Sequence, residues 1–381
     1  MARVAVSTDI LRWALERAGR SVDDLTPRFS RLAQWLTGEG QPTLKQLEAF
    51  AQATHTPFGY FFLPAPPVEH VPIPDFRSNR REALGRPSPD LLDTIYICQQ
   101  RQTWYRDHVV VTGEKPFPMV GSAKPTDDVV GVAARIREAL AFDLEERRHI
   151  PTWTDALRRF IEQADHLGVL VMVNGVVGSN NRRPLNPREF RGFALADPLA
   201  PLVFINGADT KAGQMFTLAH ELAHLWLGQS ALTDVEPRSA PSHAVERWCD
   251  RVAAELLVPL AVFRQEYDRD ADLRGELDRL ARRFKVSTLV ILRRMYDAGG
   301  LTREQFWNEY DVELQRLTSI PRTSGGDFYL TTAARVSKRF ARAVVTSTWE
   351  GRCSFTEALH LLGFKKMSTF RELGQSLGVG V

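Results

Sequence analysis

A predominantly helical α+β fold is predicted by three observations. Apolar residues recur at three- and four-residue spacing through most of the chain, short β-branched and aromatic runs gather between 169 and 206, and a proline-rich tract at 64–75 sets a helical N-terminal block apart. At 381 residues, 44% hydrophobic and 25% charged, the chain can bury several cores, and its composition excludes disorder.

Residues 1–65 read as a compact helical unit. Ile10, Leu11, Ala14 and Leu15 form one apolar stripe and Leu44, Leu47, Phe50 and Ala51 another. Ser7 and Thr43 suit helix N-caps, Gly19, Gly38 and Gly40 suit stops, and Phe58, Tyr60, Phe61 and Phe62 are expected in the core. Residues 66–125 follow as a proline-rich strap and a connector helix, opening at Ser88-Pro89 and running to about His108.

The stretch 126–300 changes character. Helices are expected over 126–140 and 152–166, strands over 169–177, 190–196 and 201–206 with a turn at 178–187, and helices over 210–227 and 242–257 with a polar loop at 229–241 between them. A helix-turn-helix pattern occupies 275–297, with Arg282, Arg283, Arg293 and Arg294 expected on its exposed face. Residues 301–381 read as mainly helical and of no assignable role, with Arg335, Lys338, Arg339 and Arg342 giving a mildly basic stretch.

Composition narrows the setting. No apolar run approaches the ~18 residues of a membrane helix. Asp9, Arg12, Glu16 and Arg17 interrupt any signal-peptide core, so a cytoplasmic protein is expected. Cys98, Cys249 and Cys353 are odd in number and scattered, which suits reduced thiols. A net charge of +3 names neither nucleic acid nor membrane as a partner.

The chemistry gathers in HELAH, which is His220, Glu221 and His224. Residues four apart on a helix lie about 40° apart around the axis and about 6 Å along it, so both imidazoles aim at one point, as zinc requires. Glu221 is placed to take a proton from water on the metal. The plainer alternative is a buried helix whose histidines bond to neighbours. Against it, Phe216, Leu218, Leu222, Leu225 and Trp226 surround the trio, and buried polar groups need partners that a metal supplies.

A catalytic zinc takes three protein ligands. Downstream, VERWCDRVAAELLVP offers Glu246 as the leading third ligand, with Asp250 four residues later to orient His220. The exchange of those two roles, or a structural role for both, stays open at this point. Glu255 falls about 180° round the helix from Glu246, and Cys249 points off the shared face as a packing residue.

FTLAHELAHLWL followed by ExxCDxxAAELLVP resembles the ImmA/IrrE family of zinc metallopeptidases, whose core is similar to the gluzincins. The resemblance implies Zn2+ held by His220, His224 and Glu246, Glu221 as general base and Asp250 behind His220. It departs at Gln214, where a basic residue is expected. No oxyanion donor can be assigned among His243, Arg251, Tyr267 and Tyr296.

Residues 31–51 are similar to an XRE/Cro-type helix-turn-helix through Trp35, Gly38, Pro42, Thr43 and Leu44. That resemblance makes Arg31 and Gln34 the candidate base readers. Seven basic against six acidic side chains in residues 1–66, with Asp23 and Asp24 beside the reader, suit a protein-docking module equally well. The strap IPDFRSNR (73–80) resembles one in XRE-fused members of the family.

Together these imply a cytoplasmic zinc endopeptidase that cleaves or neutralises a protein partner, a repressor or cognate toxin, in a toxin–antitoxin or stress-response setting, with DNA as a further partner. The alternative is a DNA-binding antitoxin or transcriptional repressor whose peptidase fold serves for binding.

Overall fold

The computed structural model describes residues 3–75, 87–233, 244–319 and 333–379. The chain divides into two compact units, residues 1–72 with 80–95, and residues 73–79 with 96–381.

In the first unit four helices, Thr8–Arg17, Val22–Leu25, Leu32–Thr37 and Leu44–Ala53, precede a 3₁₀ turn at Phe58–Phe62. Ser7 caps the first helix, accepting from the Asp9 N–H, and Thr43 and Gln46 form a reciprocal capping box on the fourth. Gly38 closes the third helix at φ 81°, so Gly40 stops nothing. Phe50 is the hub of the core, with ring centroids 5.6 Å from Phe29, 6.2 Å from Trp35 and 5.8 Å from Phe61. Phe62, expected inside, is 53% exposed and rests edge-on against Phe58. Buried Arg17 grips Glu69 through two bonds of 2.6 and 2.9 Å, which tethers the start of the proline-rich strap.

The second unit is built on a four-stranded sheet of order β1-β5-β4-β6. β1 (Leu170–Asn174) runs parallel to β5 (Leu202–Asn206), while β4 (Gly192–Leu195) is antiparallel to both β5 and β6 (Ala231–Thr233). Every residue of β4 and β5 is buried, which explains their unbroken apolar runs. Beyond β6, the Leu232 N–H donates to the Pro74 carbonyl at 2.9 Å, and Asp75 bridges to the same residue.

Two departures from the expected elements have one cause. The turn expected at 178–187 contains β3 (Asn180–Pro184), paired with β2 (Val176–Val177), and the loop expected at 229–241 begins with β6. β3 reads NNRRP and β6 has three residues, so neither shows an alternation to detect. Residues 234–243 of that loop, with His243, lie outside the described residues, as do residues 76–80 of the strap.

Helix Lys211–Leu227 packs on β4 and β5, and helix Ala244–Leu257 packs against it. Thr210 caps the former, and Gly228 ends it at φ 68°, where a side-chain carbon would meet the Cα of Gly121 at 2.9 Å. The end of Ala244–Leu257 is held by three arginines. Arg137 Nη2 donates to the Glu255 carbonyl, Arg147 Nη2 to that of Leu257 and Arg294 Nε to that of Val258, each at 2.7 Å. These cations meet the negative end of the helix dipole and satisfy carbonyls the helix leaves open.

That arrangement corrects the exposed arginine face expected on the segment now seen as helices Leu273–Phe284 and Thr288–Asp297. Arg294 is buried and paired with Glu255 at 2.7 Å, and Arg283 is bound to Glu266. Arg293 bonds Asp297, leaving Arg282 as the exposed member of the four.

In the tail, helices Lys338–Trp349, Phe355–Leu362 and Met367–Ser376 share a core in which Trp349, Phe355 and Phe370 meet edge to face. The tail's basic residues anchor it to helix Trp153–Leu167 and to the connector helix, Pro89–Thr112. Lys338 pairs with Glu162, the Arg339 N–H and the Ser337 hydroxyl both donate to Asp165, and Arg339 Nε reaches the Tyr105 hydroxyl. Among the described residues no helix is long and apolar enough to cross a membrane.

Gly228→Ala should cost about 1–3 kcal/mol, because it combines a positive φ with a clash against Gly121 backbone. Urea denaturation at constant metal content measures it, and an unchanged midpoint would show that the loop at Gly121 gives way freely.

Candidate metal centre

Two buried helices supply the site. Helix Lys211–Leu227 is buried all round at its centre, so His220, Glu221 and His224 have no solvent to turn to and are 1%, 0% and 0% exposed. Helix Ala244–Leu257 brings Glu246 from its first turn, and Trp248 on the same helix is fixed by its indole N–H to the Asp127 carbonyl at 3.0 Å.

The donor atoms of His220, His224 and Glu246 all lie within 4.8 Å of one another. The two Nε2 atoms are 3.1 Å apart, Glu246 Oε2 is 3.2 Å from His220 Nε2, and Glu246 Oε1 is 3.1 Å from His224 Nε2. On the far side of the first ring, Asp250 Oδ1 lies 3.0 Å from His220 Nδ1. The geometry thus separates the two carboxylates that the sequence left interchangeable. Glu246 faces both Nε2 atoms, and Asp250 meets only the opposite ring nitrogen.

A proton on His220 Nδ1, donated to Asp250, leaves Nε2 as a lone pair. Nitrogen lone pairs and a carboxylate then converge with too few protons to join them all. Zinc bonded at 2.0–2.2 Å to nitrogen and oxygen in tetrahedral geometry sets its ligands about 3.3 Å apart, close to the separations seen. The donor set therefore fits zinc.

Electrostatics agree with an electron-rich hole. Burial works to raise the Glu246 carboxyl, but the imidazoles of His220 and His224 overrule it and hold it at about 2. Burial works to lower His220, yet its bonds to Asp250 and Glu246 carry it well above the usual imidazole range, whereas burial prevails at His224 and lowers it. Glu221 is pushed up to about 8 by burial. Its Oε1 accepts from the Thr233 hydroxyl, while Oε2 is buried with no hydrogen-bond partner among the described residues.

Thr233 and Gly192 are the residues that sequence reasoning missed. A Cβ on Gly192 would stand 2.5 Å from Thr217 Cγ2, 2.8 Å from the Phe204 carbonyl oxygen and 3.3 Å from Glu221 Oε1, so a bare backbone is what lets β4 pass the carboxylate. No motif marks either residue; they meet Glu221 only through the strand pairing of Gly192 with Thr233.

The remaining candidates lie elsewhere. Cys249 is a buried thiol pushed well above its ordinary pKa by burial, and Glu255 is engaged by Arg294. Gln214 ties the helix start to the preceding turn, donating to the carbonyls of Gly207 and Asp209. Arg251 is exposed, and Tyr267 packs at a tilt against Phe263 and Tyr296 against Phe306. In the first unit, Arg31 is the exposed N-cap of a six-residue helix that carries exposed Gln34. Asp23 and Asp24 occupy the four-residue helix before it.

Residues 164–296 match the IrrE N-terminal-like domain of the M78 peptidase family, a span that takes in β1 to β6 and both helices of the centre. Residues 336–376 match a domain of unknown function, DUF8813. No curated protein matches the chain.

The Glu221 shift gives a pH signature in metal-free protein. Its folded value of about 8 lies above the ordinary 4.5, so the stability it contributes is complete below pH 4.5 and lost as pH rises to 8. Raised His220 acts in the same sense at higher pH. Lowered His224 acts in the opposite sense near pH 6.5, so the Glu221 contribution is read by difference. In EDTA-treated protein, stability of the wild type should fall relative to that of Glu221→Gln across that window. Equal slopes in urea midpoint against pH would refute a buried, proton-holding Glu221.

Proposed function

We propose that this protein is a cytoplasmic zinc endopeptidase that regulates a protein partner by cutting it, a repressor or a cognate toxin. The observation that carries the reading is the convergence of His220, His224 and Glu246 beside a buried carboxylate with one oxygen unpartnered, Glu221 Oε2. The match of residues 164–296 to an M78 peptidase domain supports it.

His220, His224 and Glu246 would hold the ion, which supplies the Lewis acidity that acidifies water and polarises a peptide carbonyl. Glu221 then does the proton work. Thr233 holds Oε1, so Oε2 is the oxygen left to accept a proton. Glu221, kept ionised against the effect of burial by a dication held beside it, can take the proton and then hand it to the departing amine, which restores the carboxylate. Asp250 fixes the His220 tautomer so that Nε2 faces the ion. The ring of apolar side chains on the same helix keeps bulk water from competing.

Metal analysis of purified protein should find one zinc per chain, lost in His224→Ala and Glu246→Ala. A wild type that takes up no zinc from an equimolar solution sinks the proposal. Glu221→Gln should retain zinc and lose at least about 100-fold in turnover on a quenched-fluorescent peptide library. Undiminished turnover there would remove the base assignment, and zinc without cleavage in the wild type would favour a binding module that kept the fold.

Zinc must displace the proton that His220 holds in metal-free protein. Its dissociation constant should therefore weaken by about tenfold per pH unit, for each proton displaced, on acidifying below the His220 pKa. Competition with a chelating dye from pH 5.5 to 8 reads this directly, and a flat profile would mean that no ligand proton is released.

A further inference from the structure

A second recess lies between helix Leu144–Arg148 and helix Trp153–Leu167, a pocket of 390 Å³ whose lining includes Phe142, Arg147, His149, Ile150, Arg159 and Gln163. Its volume is in the range of small-ligand sites. Phe142 is stacked on Phe160 at 4.5 Å, and the Arg147 guanidinium lies over the Phe142 ring at 4.5 Å.

Arg147 is 1% exposed, and one of its nitrogens is used, Nη2 on the Leu257 carbonyl. Nε and Nη1 are buried with no hydrogen-bond partner among the described residues. The opposite case stands beside it. Gln163 donates to the Ala141 carbonyl at 2.6 Å, and its Oε1 is buried with no partner among the described residues. Leaving a buried cation's donors and an amide's acceptor unmade is costly, and here both line one pocket.

The charge around Arg147 points the same way. Burial, followed by neighbouring Arg137, pushes its guanidinium down to about 9, and Arg283 adds to the effect. Two exposed carboxylates, Asp143 and Glu146, also line the pocket, and Asp143 Oδ1 caps its helix by accepting from the N–H groups of Glu145 and Glu146. An anion is the missing partner, and the exposed rim carries Arg159 and His149.

We propose that this pocket binds a small organic acid with a hydrogen-bond donor beside its carboxylate and an apolar body, an α-hydroxy or α-amino acid. The carboxylate meets Arg147, the hydroxyl or ammonium meets Gln163 Oε1, and the apolar part lies against Phe142, Ile150 and Pro151. The site is separate from the zinc centre and stands or falls without the peptidase reading.

The test is calorimetric titration of the full chain with 2-hydroxyisocaproate, L-leucine, isocaproate and leucinamide. Because hydroxy and amino acids also chelate zinc, wild type is compared with His224→Ala. At least one of the first two ligands should bind saturably and equally in both proteins, the stronger of them showing whether hydroxyl or ammonium is preferred. Isocaproate, lacking the donor, should bind at least about tenfold more weakly, and leucinamide, lacking the carboxylate, should not bind. Gln163→Leu should erase the difference between isocaproate and the hydroxy acid, and Arg147→Met should abolish binding. If Arg147→Met does not fold, the Gln163→Leu comparison decides alone. Absence of saturable binding by either acid, loss of it in His224→Ala, or titrations unchanged by Gln163→Leu would overturn the proposal.

Discussion

The structure turns on a deficit of protons at its centre. Two imidazoles and a carboxylate meet at 3.1–3.2 Å in a place solvent barely reaches, and Asp250 has already claimed the His220 Nδ1 proton. Uncompensated charge in such surroundings costs several kcal/mol per group, so the cluster is stable only when something positive joins it. In metal-free protein that role falls to protons, which is why His220 is drawn up and Glu246 held down. The same deficit suits the centre to a cation.

Around that point the second unit is arranged to keep two helices in register. The sheet supports helix Lys211–Leu227 through β4 and β5, and helix Ala244–Leu257 is bound at one end by Trp248 and at the other by Arg137, Arg147 and Arg294. The C-terminal helices join the assembly through ion pairs and a buried carboxylate, Asp165, that accepts from both Ser337 and Arg339. Of that tail's basic residues, Lys338 and Arg339 are thus structural anchors.

Much of this could be read from the residues in order. The four-residue interval between His220 and His224, and again between Glu246 and Asp250, survives folding because the helix repeat converts it into a shared direction. The interval cannot say which carboxylate reaches which ring nitrogen, since that depends on how the two helices cross. β3 and β6 escaped notice because polar or very short strands are defined by their partners alone. Arg294 was expected outside because a periodicity argument gives a face its polarity and cannot foresee that Glu255 waits beneath it. Thr233 and Gly192 needed strand pairing, and the recess at Arg147 needed the packing of residues 141–151 against helix Trp153–Leu167.

The arginine clasp on helix Ala244–Leu257 has a mechanical side. Glu246 stands eleven residues before Leu257, about 16 Å along the axis, so the helix is gripped at its far end. Trp248 pins the opposite end two residues from Glu246, so the carboxylate is carried on a rod fixed at both ends. Rigidity at the centre is thus supplied by residues that never touch it.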